Sequence, residues 1–213
     1  ELPSIHTTPE AHEISSMLSQ AQQAGARHAV VEVSSHALSL KRVHGMVFKA
    51  AVFTNLTRDH LDFHSDEESY AAAKLLLFEQ HLSPEGTAVV NMDDPRGELF
   101  ARRARGKVLR YGLQRESADI FPLSVADEGR RTRIEFRTPS GKLNLSTALK
   151  GGFNLYNVMD AVGVGIGAGR SLREIADGVG RVEGVPGRFE IVDRGQPFLV
   201  VVDYAHTPDA LRN

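Results

Sequence analysis

The stretch AVFTNLTRDHLDFH, residues 51–64, ends an apolar run and then sets Asp59, His60, Asp62 and His64 close together. Carboxylates and imidazoles at this spacing can hold a metal ion, relay a proton, or build a polar loop. Two other apolar runs end in the same way. AVVEVSSH delivers Glu32, Ser34, Ser35 and His36, and FLVVVDYAH delivers Asp203, Tyr204 and His206. Open α/β sheets bind ligands at the carboxyl ends of their strands, so these strand ends together mark a candidate site. Singly, each is as consistent with the start of a loop.

Lys74 stands between AAA and LLLF. On a helix it shares a face with Tyr70, Leu77, Phe78 and His81. A lysine there can snorkel, packing its stem while the ammonium reaches water. Alternatively its amine can be held neutral and add carbon dioxide, giving a carbamate whose oxygens suit Mg²⁺. The residue pattern leaves both readings open.

The elements that must position these groups follow from periodicity. TPEAHEISSMLSQAQQAG predicts a helix with Thr8 as N-cap and Pro9 as its first residue, stopped by Gly25. HAVVEVSSH and AAVFTN predict buried strands. DEESYAAAKLLLFEQHL predicts a helix with acidic residues in its first turn. GTAVVNMDD, PRGELFARRAR and KVLRYG continue as strand, helix and strand. Strand alternating with helix predicts an α/β fold with a mainly parallel sheet flanked by helices. From about residue 117 the pattern becomes ADIFPLSVA, RTRIEFRT and KLNLSTAL, a small antiparallel β meander separated by turn clusters. Helices return in GGFNLYNVMDAVGVGIGAG and SLREIADGVGRV. EGVPG (183–187) reads as a linker, followed by a strand pair running into a helix. This organisation predicts one domain over 1–183 and the start of a second α/β domain over 184–213.

Bulk properties narrow the function classes. The 213 residues can bury a substantial core. A formal net charge of −2 gives no electrostatic reason to expect nucleic acid or an anionic membrane as partner. The absence of cysteine excludes a disulfide scaffold, a zinc–thiolate site and a thiol nucleophile, and fits the cytoplasm. No apolar stretch is long enough for a membrane-spanning helix, so no membrane insertion is expected. The chain starts ELPSIHTTPE, without methionine or a signal peptide, and reads as a piece of a longer protein. GVGIGAG fits a loose dinucleotide pattern but follows helical rather than strand sequence. The phosphate-binding pattern G-x-x-x-x-G-K-[ST] occurs nowhere in the chain.

EVSSH, FTNLTRDHLDFH, YAAAK, NMDD, GGFNLYN, GRFE and VVVDYAHTPDAL stand in this order along nearly the whole chain. Together they resemble the Mur ligases, above all the branch that adds the third amino acid of the peptide. The resemblance implies the central ATP-binding domain of such a ligase, without its P-loop segment, and the first part of the C-terminal domain. The implied reaction is ATP-dependent amide formation in peptidoglycan synthesis. A diamino acid, meso-diaminopimelate or L-lysine, would be joined through an acyl phosphate to UDP-N-acetylmuramoyl-L-Ala-D-Glu. The resemblance further implies a cytoplasmic monomer, and a fragment inactive by itself.

By position, the resemblance makes Glu32 and His60 ligands of Mg²⁺ and Lys74 a carbamylated lysine adding a further ligand. These three form the implied catalytic group. Asn157 would contact the adenine of ATP, Arg188 its phosphates and Asp203 its ribose. Thr7, Thr8, Ser34 and Arg42 would contact the muramoyl-dipeptide substrate, with Arg42 offering forked donors to an anion. Asp62 and His64 would structure the loop. His6 and Leu40 stand where some members carry asparagine and glutamine. DDPR (93–96) resembles a diamino-acid motif that belongs to the third domain, so here it does not report the added residue. A folylpolyglutamate synthetase-like ligase and a metal-dependent hydrolase remain the alternatives. A hydrolase would need neither Lys74 nor the nucleotide contacts.

Overall fold

A computed structural model describes residues 6–57, 63–205 and 211. Asp59, His60, Asp62 and His206 therefore lie outside the described residues.

The first helix, α1 (Ala11–Gln23), starts later than its sequence suggests: Glu10, not Thr8, is the N-cap. The Glu13 carboxylate accepts a hydrogen bond from the Glu10 N–H at 2.8 Å. Thr8 is instead 1% exposed, because its hydroxyl is used in contacts distant in sequence. The strand expected over 28–36 does not form either. Val30 is 98% exposed, and Ser34 caps a short helix, α2 (Ser35–Ser39), by accepting from Ala37 N–H. A strand needs a neighbour to complete its ladder, and none of the described residues pairs with this segment.

The parallel sheet has the order β1 (Phe48–Phe53), β2 (Leu82–Asn91), β3 (Lys107–Tyr111). Its crossovers are α3 (Glu67–Leu76), extended by a π-turn over Leu77–His81, and α4 (Gly97–Arg103). Central β2 is buried on both faces, and its side chains alternate between two cores. Ala88 and Val90 join Phe53, Leu75, Phe78 and Phe100 on one side. Val89 joins Tyr111, Val158, Met159 and Val162 on the other.

The second core also contains Ile134, Phe136, Leu143 and Leu145 from an antiparallel meander. Its strands are β4 (Phe121–Asp127), β5 (Thr132–Thr138) and β6 (Gly141–Thr147). Two helices complete it, α5 (Gly152–Gly167) and α6 (Leu172–Gly180). GVGIGAG lies at the end of α5 and works in packing. A Cβ on Gly163 would meet Val89 Cγ1 at 2.5 Å, and one on Gly165 would meet Ile175 Cγ1 at 2.7 Å. After α6, the chain forms a short antiparallel pair, β7 (Glu190–Ile191) and β8 (Val201–Val202).

One buried group on α5 is unusual. Asp160 Oδ1 is shielded from solvent without a hydrogen-bond partner. Burial raises the Asp160 carboxyl to about 7, and the neighbouring Tyr111 hydroxyl opposes that rise. Tyr111, whose hydroxyl also donates to the Phe53 carbonyl at 3.3 Å, is itself pushed up by burial and by Asp160. A raised carboxyl pKa means the folded state keeps a proton that the unfolded chain releases. Its stabilisation is complete below about pH 4 and is lost as pH rises toward 7. Asp160→Asn is therefore expected to match the parent near pH 4 and exceed it by roughly 1–4 kcal/mol above pH 7, read by urea unfolding at both pH values.

Candidate functional site

The site begins at the carboxyl edge of the parallel sheet, where side chains fasten the loops to the strand ends. Asn91, closing β2, donates from Nδ2 to the Thr54 carbonyl at 2.7 Å. The Asp94 carboxylate accepts from Leu56 N–H at 2.7 Å and from Arg96 N–H at 2.8 Å. These contacts hold residues 54–57, the approach to the Asp59–His64 cluster. Asp93 accepts from Leu113 N–H at 2.5 Å and from the Tyr156 hydroxyl at 2.9 Å. Burial and this bond push the Tyr156 hydroxyl up to about 12. DDPR is thus a set of loop ties.

A second group gathers around Thr8. Its buried hydroxyl donates to the Glu32 carbonyl at 2.8 Å and accepts from Ser34 N–H at 3.0 Å. Arg42 Nη1 donates to the Thr8 carbonyl at 3.1 Å, and Arg42 Nε lies 2.9 Å from Glu10 Oε1. The Arg42 side chain is only 11% exposed. The structure therefore brings Thr8, Ser34 and Arg42 together, with Glu10 as a partner that sequence reasoning missed. Its position in TTPE, beside the paired threonines, was the available signal. Thr7 is exposed, as is Glu32, whose backbone is held by Thr8.

Lys74 is half-buried on α3, with Nζ 5.2 Å from the centre of the Tyr70 ring. Tyr70 continues into an aromatic cluster. His64 lies 5.2 Å from it, and His36 lies 4.1 Å from Phe63 between ring centres. His64 is buried, and its Nε2 is 3.0 Å from Ser35 Oγ, which joins this loop to the start of α2. The helix carrying Lys74 is fixed at its start. Asp66 accepts from Ser69 N–H at 2.7 Å, a bond that holds its carboxyl below the usual range. Arg96 grips Glu68 through both guanidinium nitrogens and lowers that carboxyl as well. Among the described residues, no group of His, Cys, Asp and Glu is arranged to hold a metal ion.

The third group joins α5 to the last strand pair. Phe153 and Asn157 are one turn apart on α5, and Asn157, exposed, donates to Asn154 Oδ1 at 2.9 Å. The Phe153 ring meets the Phe189 ring edge-on, 5.7 Å between centres. Asp203 accepts from Phe189 N–H at 2.6 Å and from Ala205 N–H at 2.7 Å. Arg188 lies over the Tyr204 ring at 5.3 Å. Arg188 and Asp203 thus come within one small cluster, linked to the helix of Asn157 by the Phe153–Phe189 contact.

A parallel sheet with its edge chemistry and a fused antiparallel meander defines a recognisable class. Residues 2–165 match the Mur ligase middle domain. The chain belongs to the Mur ligase family. It is 45% identical over 213 residues to the UDP-N-acetylmuramoyl-L-alanyl-D-glutamate–2,6-diaminopimelate ligase of Solibacter usitatus (strain Ellin6076), matching 100% of this chain and 43% of that protein. The ligase of the same name from Gloeobacter violaceus is 48% identical, over 97% of this chain and 42% of the relative. A solved structure of a ligase of that name superposes with a TM-score of 0.81 at 34% identity, covering 99% of this chain and 44% of the other. The chain thus spans less than half the length of these relatives.

The Thr8 contacts generate a direct test. Thr8→Val keeps the shape but leaves a buried carbonyl and N–H without the hydroxyl, and is expected to cost about 1–3 kcal/mol in urea unfolding. Thr8→Ser keeps the hydroxyl and should lose at most about 1 kcal/mol.

Proposed function

We propose that this chain is the central ATP-binding part, with the start of the C-terminal part, of a ligase that adds a diamino acid to UDP-N-acetylmuramoyl-L-Ala-D-Glu. The division falls in the 183–187 linker, giving 1–183 and 184–213. The observation that supports this reading most is the placement of two clusters along one chain. Arg42, Thr8 and Ser34 form a hydrogen-bonded group suited to an anionic substrate, while Arg188, Asp203 and the helix of Asn157 form another suited to a nucleotide. The names of the relatives, which specify 2,6-diaminopimelate, favour a diaminopimelate over L-lysine as the added residue, and we take it to be the meso form.

The chemistry follows from the poor electrophilicity of a carboxylate. The terminal phosphoryl group of ATP passes to the γ-carboxylate oxygen of the D-glutamyl residue and ADP leaves. The amine then attacks the carbonyl carbon of the acyl phosphate, inorganic phosphate leaves with the C–O electron pair, and the amine loses a proton. Arg42, held by the Thr8 carbonyl at one nitrogen and paired by charge with Glu10, would orient the substrate anion through its remaining donors. Arg188 would face the phosphates, Asp203 the ribose and Asn157 the adenine. Thr7 would add a substrate contact from the exposed start of the chain.

The donor set suits Mg²⁺. Glu32 offers an exposed carboxylate, and carbon dioxide bound to the Lys74 amine would give a second hard-oxygen group. His60, the third proposed ligand, lies outside the described residues. Bound there, the ion would offset phosphate charge during transfer. No helix among the described residues is long and apolar enough to cross a membrane. The absence of cysteine fits the proposed cytoplasmic setting, and the protein is proposed to act there as a monomer.

The test is phosphate release by the full-length protein from ATP and Mg²⁺ with the nucleotide-linked muramoyl dipeptide. Release should require meso-diaminopimelate and be absent with L-lysine. Lys74→Ala should cut turnover by about a hundredfold or more if it removes a group that stabilises the transferring phosphoryl. The 213-residue chain alone should release none. A folded full-length protein that is silent with both amines would overturn the proposal.

A further inference from the structure

Residues 57–67 carry the polar cluster of the sequence, and one other loop grips the chain on both sides of them. Ahead of the segment, the Thr54 carbonyl accepts from Asn91 Nδ2 at 2.7 Å, and the Leu56 N–H donates to Asp94 Oδ2 at 2.7 Å. Behind it, Glu68 in the first turn of α3 receives both terminal guanidinium nitrogens of Arg96, Nη1 at 3.1 Å. Asn91 closes β2, and Asp94 and Arg96 stand in the short connection from β2 to α4.

That connection is itself rigid. Asp94 is buried, and its second oxygen accepts from the Arg96 N–H at 2.8 Å, so a single carboxylate holds the Leu56 backbone and the base of the arginine. The Gly97 N–H donates to the Asp94 carbonyl at 2.9 Å, and a Cβ on Gly97 would run into the Asn91 carbonyl. The turn is therefore pressed against the end of β2.

The Arg96–Glu68 pair adds least to stability among these contacts. The Glu68 side chain is 73% exposed, and ion pairs in water contribute little to folding. Nor does α3 need a cation there, since acidic side chains already suit the start of a helix. What the pair supplies is geometry, because a fork of two N–H···O bonds fixes direction as well as distance. It fixes the first turn of α3, and the helix passes that orientation on to Lys74, roughly 9 Å further along its axis.

We infer that Arg96 is a positioning residue for the proposed metal site: through Glu68 it sets α3, and with it Lys74, relative to the backbone at 54–56 that Asn91 and Asp94 hold. This rests on the Mg²⁺ reading above and gives DDPR a task within it. Arg96 acts through Glu68 and touches neither metal nor substrate.

The test is equilibrium binding of Mn²⁺, a spectroscopic stand-in for Mg²⁺, to the full-length protein, read from the electron paramagnetic resonance of the free ion. Arg96→Gln and Glu68→Gln are each expected to weaken Mn²⁺ about tenfold, the loss typical when a residue that orients a metal ligand is removed. The double variant should be no weaker than either single one, because both remove the same contact. Arg96→Lys should stay weakened, since it keeps the charge and loses the fork. Thermal midpoints should move by less than about 4 °C. The inference is overturned if the two losses add, if Arg96→Lys binds as the parent does, or if the midpoints fall with the affinity. A parent protein that binds no Mn²⁺ would sink the metal reading itself along with the inference. A parent that binds it, with unaffected variants, would sink the inference alone.

Discussion

Burial of β2 on both faces governs the placement of everything else. Val89 is fully enclosed by α5 and the meander, while Ala88 and Val90 are enclosed by α3 and α4. A strand covered on both sides cannot carry polar side chains along its length without leaving them unsatisfied. Polar chemistry is therefore displaced to the ends of the strands. Parallel pairing puts those ends on one edge: Phe53 is paired with Val90, and Asn91 with Tyr111. The hydrophobic effect thus decides where a site can be, although it makes none of the site's contacts.

Contacts between side chains and backbone then turn that edge into a fixed surface. Asn91, Asp93 and Asp94 each hold the backbone of a distant segment there, and apart from them Thr8 does the same for Glu32 and Ser34. Such bonds are short and partly buried, so loss of one partner leaves the other unsatisfied. The exposed pairs have a different weight. Arg102 and Glu98, at 74% and 47% exposure, gain little that water would not provide. The rigidity of the candidate site comes from the first class of contacts.

Much of this order was legible in the sequence because its causes are local. The strands 48–53, 82–91 and 107–111, the meander and the helices around Lys74 and Asn157 follow from periodicity and turn residues. The two misreadings have a common cause. Thr8 has the chemistry of an N-cap, but its hydroxyl satisfies Glu32 and Ser34, and Glu10 caps α1 instead. AVVEV has the composition of a strand, but composition cannot provide the neighbour that completes a ladder. Glu10 was missed for a related reason. Its ion pair with Arg42 joins segments that sequence order does not place side by side.

Arg42 shows how folding alone can order a long cationic side chain. Its side chain is almost wholly shielded, its Nη1 donates to the Thr8 carbonyl, and Glu10 lies beside Nε as an ion pair. A free arginine would lose several rotatable bonds on meeting an anion, and that ordering cost would reduce its affinity. Here folding has met the cost in advance, through a threonine whose own hydroxyl is buried. Arg42 Nε is paired with Glu10 by charge at 2.9 Å without a well-aligned hydrogen bond, so Glu10 orients the guanidinium more by charge than by geometry.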